Sequence, residues 1–70
     1  MTTPEPSKDL YLRVRAGFVL QGTTLQTWCR QNGTHSSNAQ RALIGSWDGP
    51  KARELRSRVI KAAHIEEIRP

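Results

Sequence analysis

The chain has 70 residues, 36% of them hydrophobic, and a formal net charge of +5. A domain this short buries only about 60% of the surface its unfolded chain exposes, which leaves little room for a deep, dry catalytic cleft. An enzyme is therefore not expected, and neither is a small-molecule substrate. One cysteine, Cys29, excludes an internal disulfide framework.

The first six residues, with Pro4 and Pro6, lack the basic start and apolar core of a signal peptide. No apolar run is long enough to span a bilayer, so no membrane is expected and the chain reads as soluble and cytoplasmic. Residues 1–7 read as a disordered arm that ends in a helix cap at Ser7. Residues 8–64 read as one all-α domain. Its first helix runs over 8–21, with Leu10, Tyr11, Val14 and Phe18 recurring three and four apart, and Gly22 ends it.

Thr23 and Thr24 offer caps for a short second helix over 25–32, whose inner face is Leu25, Trp28 and Cys29. After Gly33, Ser36 or Ser37 is the expected N-cap of a third helix reaching Ile44, with Ala39, Ala42 and Leu43 inward and Gly45 closing it. Pro50 opens a fourth, where its missing N–H costs nothing. That helix carries Ala52, Leu55, Val59 and Ala62 or Ala63 on its stripe, with Arg53, Arg56, Arg58 and Lys61 read as a solvent face. Residues from His64 onward are expected to fray, and 65–70 to form a tail or part of a fifth helix. Ile60 and Ile65 are candidates for pairing across a two-fold axis.

Charge is unevenly placed. Between Leu10 and Trp47 there is no Asp or Glu, while Arg13, Arg15, Arg30 and Arg41 all fall in that stretch. Such a segment makes a local positive potential that attracts polyanions. The same stretch contains Leu25-Gln-Thr-Trp-Cys-Arg-Gln-Asn-Gly33, then Thr34-His35-Ser36-Ser37-Asn38 and Ala39-Gln40-Arg41-Ala42-Leu43. Glycine suits the positive φ that opens the turn of a helix-turn-helix, and small residues such as Cys29, Ala39 and Ala42 suit its close helix crossing.

In that geometry the outward side chains of the second helix of the pair are Ser36, Ser37, Asn38, Gln40 and Arg41. Arginine bonds bidentately to guanine, and Asn and Gln to adenine, so these five are the expected base contacts. Arg13, Arg15, Arg30, Thr34, His35 and Lys51 are the expected phosphate contacts, which supply affinity and register.

Plainer roles are expected for other residues. Trp28 and Trp47 read as core, and Cys29 as a small buried hydrophobe. His35 and His64 lack the partners of a metal site, so neither a metal nor a cofactor is expected. Ser36 and Ser37 beside His35 lack the acid and cleft of a nucleophilic triad.

The stretch from Gly22 to Gly33, with Ala42-Leu43, Trp47 and Gly49-Pro50-Lys51, resembles the small regulators of Mu-like transposable phages. These are the Ner-type proteins and their relatives in BcepMu-like prophages. The resemblance covers about residues 8–64. It implies a lambda-repressor-like fold and a phage- or prophage-encoded regulator in a bacterial cytoplasm, binding double-stranded operator DNA, often as two copies on one site. Position by position it points to Ser36, Ser37, Gln40 and Arg41 as base readers. Relatives often carry larger apolar residues at the positions of Thr34 and Ala39. Two other readings share most of these features: a basic module that docks on an acidic protein, such as an anti-repressor, and the DNA-binding part of a recombination or packaging factor.

Overall fold

Four helices account for the computed structural model, which describes residues 5–65: α1 (Lys8–Leu20), α2 (Leu25–Gln31), α3 (Ser36–Ile44) and α4 (Pro50–Ala63). The all-α class read from periodicity is what the molecule adopts. Of the expected arm and tail, residues 1–4 and 66–70 lie outside the described residues, as does any fifth helix there.

Ser7 caps α1 as expected, its hydroxyl accepting from the Leu10 amide at 3.0 Å. Thr24 caps α2 in the same way, accepting from Thr27 at 3.1 Å. Both caps satisfy amides that the first turn leaves without partners. Gly22 and Gly45, at φ +82° and +105°, end α1 and α3.

The core joins Leu10, Val14 and Phe18 of α1 to Ala39, Ala42 and Leu43 of α3, and both sets to Leu55, Val59 and Ile60 of α4. The Phe18 and Trp28 rings meet at 6.1 Å. Trp28 and Trp47 are half-buried against this core rather than inside it. α1 and α3 each pack on all three other helices. At Gly17 α1 lies hard against the end of α4: a Cβ there would stand 2.5 Å from the Ala63 carbonyl oxygen. Glycine inside a helix is unfavourable by about 1 kcal/mol against alanine, and here that cost purchases the close contact.

Five expectations need correction. The N-cap of α3 is His35, in extended conformation at φ −97° and ψ 138°, so Ser36 and Ser37 already lie within the first turn. The arm is tied down at its end, because the Ser7 amide donates to the Leu43 carbonyl at 2.9 Å and Pro6 lies against Gly45.

Arg56 is not a solvent residue. It is 7% exposed, with Nη1 donating to the Ala42 carbonyl at 2.8 Å and Nη2 to Asp48 Oδ1 at 3.0 Å. It lies three or four residues from Ala52, Val59 and Ile60 and so shares their inward face. Ile60 and Ile65 are likewise buried, so neither is free to pair with another chain. The fraying expected from His64 does not begin there. His64 takes a left-handed conformation (φ 59°, ψ 37°) that closes α4, and Ile65 packs beside Gly17.

Candidate nucleic-acid interface

Residues 32–35 connect α2 to α3, and their path is set by two devices. Gly33 adopts φ +70°, a conformation that L side chains rarely take. The Thr34 amide then donates to the Cys29 carbonyl at 2.9 Å, while the Asn32 side-chain amide donates to the Trp28 carbonyl at 2.8 Å. The chain is thereby turned back on the end of α2, and α3 departs in a new direction. Burial pushes the Cys29 thiol up from its ordinary value, as expected of a packing residue at this crossing.

With Ala39, Ala42 and Leu43 fully buried, the opposite flank of α3 faces solvent. At about 100° per residue, Ser37 and Arg41 lie near the middle of that flank, Ser36 and Gln40 on one side of it and Asn38 on the other. Ser37, Gln40 and Arg41 are exposed, and Ser36 and Asn38 are half-buried.

The α3 N-terminus opens into two adjoining depressions. One is lined by Tyr11, Arg15, Gln26, Ser36, Ser37 and Gln40, the other by Gln26, Arg30, Thr34, His35 and Ser36. Gln26 and Ser36 belong to both. No acidic side chain lines either depression. Unlike α1 and α2, α3 has no side chain accepting from its first-turn amides. The free N–H groups and the helix dipole favour an anion there. Arg15 is steadied over the Tyr11 ring, its guanidinium carbon 5.6 Å from the centroid.

Seven of the eleven expected contacts therefore converge: Arg15, Arg30, Thr34, His35, Ser36, Ser37 and Gln40. Arg41 shares the exposed flank of Ser37 one turn later, and Asn38 sits on the far side of the helix from Gln40. Two expected phosphate contacts are not brought to these depressions. Arg13 is two residues from Arg15, about 200° round α1. It pairs with Asp9 at 3.8 Å and borders a different notch, beside Gly17, Ala63 and Ile65. Lys51 is exposed on the first turn of α4 and lines neither depression.

Sequence reading missed Gln26 and Tyr11. Each stands four residues before an arginine that it was possible to single out, Arg30 and Arg15, and that spacing puts the members of each pair on one helix flank. Compared with known proteins, the chain matches no family model, no curated protein and no solved structure. Among the described residues no helix is long and apolar enough to cross a membrane.

Proposed function

We propose that this chain binds double-stranded DNA in a sequence-specific manner, using α2, the turn at Gly33 and α3 as a helix-turn-helix, and that it represses transcription by occupying promoter DNA. The observation that carries this reading is the convergence of Arg15, Arg30, Gln26, Ser36, Ser37 and Gln40 around the open N-terminus of α3, with no carboxylate among them. Two guanidinium groups and unpartnered helix amides suit phosphates, while glutamine, serine and the neighbouring Arg41 suit base edges. The resemblance to Ner-type regulators supplies the setting, a phage- or prophage-encoded regulator in a bacterial cytoplasm.

The test is a duplex titration by fluorescence anisotropy at several salt concentrations. Log affinity should fall linearly with log salt, and Arg15→Ala should reduce that slope by about one while weakening all sequences alike. Arg41→Ala should cost about 1–3 kcal/mol on a selected site and almost nothing on random duplex. A salt-independent response would remove DNA as the ligand.

A second reading, an accessory module that docks on another protein, is favoured by the exposed Leu12, Val19 and Leu20 of α1. Under it, Leu20→Glu would abolish activity in a reporter strain, and Arg15→Ala would leave activity intact.

A further inference from the structure

Lys8, Tyr11 and Arg15 stand three and four residues apart, so they share one flank of α1 within about 60° of arc. Lys8 and Arg15 are exposed, and among the described residues neither enters an ion pair. Arg13 points elsewhere, about 140° round the helix from Lys8, and is paired with Asp9. Lys8 is also the first residue of α1, where the positive end of the helix dipole opposes a cation. Helix stability therefore gives no reason for a lysine at that position.

The path of the chain puts this flank beside α3. The Ser7 amide, bonded to the Leu43 carbonyl at 2.9 Å, sets the start of α1 at the C-terminal end of α3. Tyr11 and Arg15 line the depression they share with Ser36, Ser37 and Gln40, at the head of α3. The flank thus runs alongside α3, with Lys8 about 10 Å from Arg15 along the α1 axis.

We propose that this flank of α1 is a second phosphate-binding element: Lys8 joins Arg15 in contacting the duplex backbone beside α3, and Tyr11 is the positioning residue for Arg15. The proposal rests on the DNA-binding reading above. It extends the interface beyond the helix-turn-helix to a third helix.

Tyr11 can hold Arg15 because its own ring is packed against the core while the Arg15 guanidinium carbon lies 5.6 Å from the ring centroid. A guanidinium held over a ring keeps its N–H donors, which lie in its own plane, available to a phosphate. An exposed arginine otherwise loses rotamer freedom when it binds, and one already held in place loses less. Lys8 has no such support and acts as a point charge.

The experiment measures affinity of the full chain for a random duplex over a range of salt concentrations. Lys8→Ala and Arg15→Ala should each lower the slope of log affinity against log salt by about one, and together by about two. Lys61→Ala removes the same charge from the exposed side of α4 and should leave the slope unchanged. The denaturation midpoint of Lys8→Ala should not fall, because the dipole opposes the charge removed. Tyr11→Leu keeps every charge, so it should weaken binding about fivefold at an unchanged slope, and Tyr11→Phe should restore parent affinity. In an Arg15→Ala background, Tyr11→Leu should weaken binding no further.

Equal slope losses in Lys8→Ala and Lys61→Ala would mean that net charge alone matters, and would overturn the flank. An unchanged slope in Lys8→Ala, with parent binding intact, would do the same and leave the DNA reading standing. A Tyr11→Leu loss that persists without Arg15, or that Tyr11→Phe does not restore, would remove Tyr11 from its role. If the parent chain does not bind duplex, the DNA reading fails and the flank fails with it. Binding to phosphatidylglycerol vesicles that Lys8→Ala weakens, with duplex affinity unaltered, would give the flank to a lipid surface instead.

Discussion

The two ends of α3 are treated in opposite ways. At its C-terminal end the last carbonyls are taken up one by one. The Gly45 and Trp47 amides donate to Arg41, the Arg56 guanidinium to Ala42, and the Ser7 amide to Leu43. Those bonds tie the helix to the arm, to the turn before α4 and to α4 itself. At its N-terminal end no side chain caps the first turn, and Ser36 and Ser37 border open depressions. A helix held by one end keeps its direction, and the other end keeps its donors free for a ligand. Polar groups without partners are tolerable there because water satisfies them until something better arrives.

The largest effect that tests this contrast is at the anchored end. Arg56→Ala leaves the buried Ala42 carbonyl without its donor and opens a gap between α3 and α4, so it should lower unfolding free energy by about 2–3 kcal/mol. Urea denaturation followed by tryptophan fluorescence measures this. A loss no larger than that of an ordinary surface substitution would show that the anchor is unimportant.

Next in size are changes at the open end, which should appear in binding rather than in folding. Gln26→Ala and Gln40→Ala should each weaken binding to a selected duplex by about 1–2 kcal/mol with an unchanged denaturation midpoint. A shifted midpoint with unaltered affinity would reverse the roles assigned to the two ends.

A sharper version makes the two readouts move in opposite directions. Ser36→Asp places a carboxylate at the positive end of the helix dipole, which should stabilise the fold by about 0.3–1 kcal/mol. The same charge should repel phosphate and lower duplex affinity at low salt. Stability and affinity rising together would mean that the ligand at this end is not an anion.

The smallest effect is one of pH. The hydrogen bond from Arg56 holds the Asp48 carboxyl below its ordinary value of 3.8, with further help from the Arg56 and Arg53 charges. A depressed value means that the folded state favours the ionised form. The stabilisation is therefore complete above the ordinary carboxylate value and is lost as pH falls through the lowered one. Asp48 is largely solvated, so the gain is modest. Asp48→Asn should melt slightly earlier than the parent near neutrality, and the two curves should merge in strong acid. A gap that persists there would point to a packing effect instead.

Much of this architecture was legible in advance because its signals are local. Ser7, Thr24 and Pro50 mark helix starts through chemistry that needs only a few neighbouring residues, and Gly22, Gly33 and Gly45 mark ends and turns through their own φ. The spacing of Leu10, Val14 and Phe18 declares one buried flank without reference to what buries it. The N-cap of α3 was misplaced by one or two residues because several hydroxyl-bearing residues there suit a cap equally well.

Burial of a charged side chain depends instead on what arrives from elsewhere in the chain. Arg56 stands at an inward position of α4, yet only the docking of α3 supplies the carbonyl and the turn supplies the carboxylate that make such burial tolerable. Gly17 similarly looks like a flaw in α1 until the Ala63 backbone is laid against it.

Local sequence determined where the helices begin and end and which flank of each is apolar, since those follow from dihedral preference and periodicity. Tertiary structure alone decided that Arg15 of α1 and Arg30 and Gln26 of α2 gather at the head of α3. Which residues gather at a surface depends on how separate helices cross, and no local preference encodes that angle.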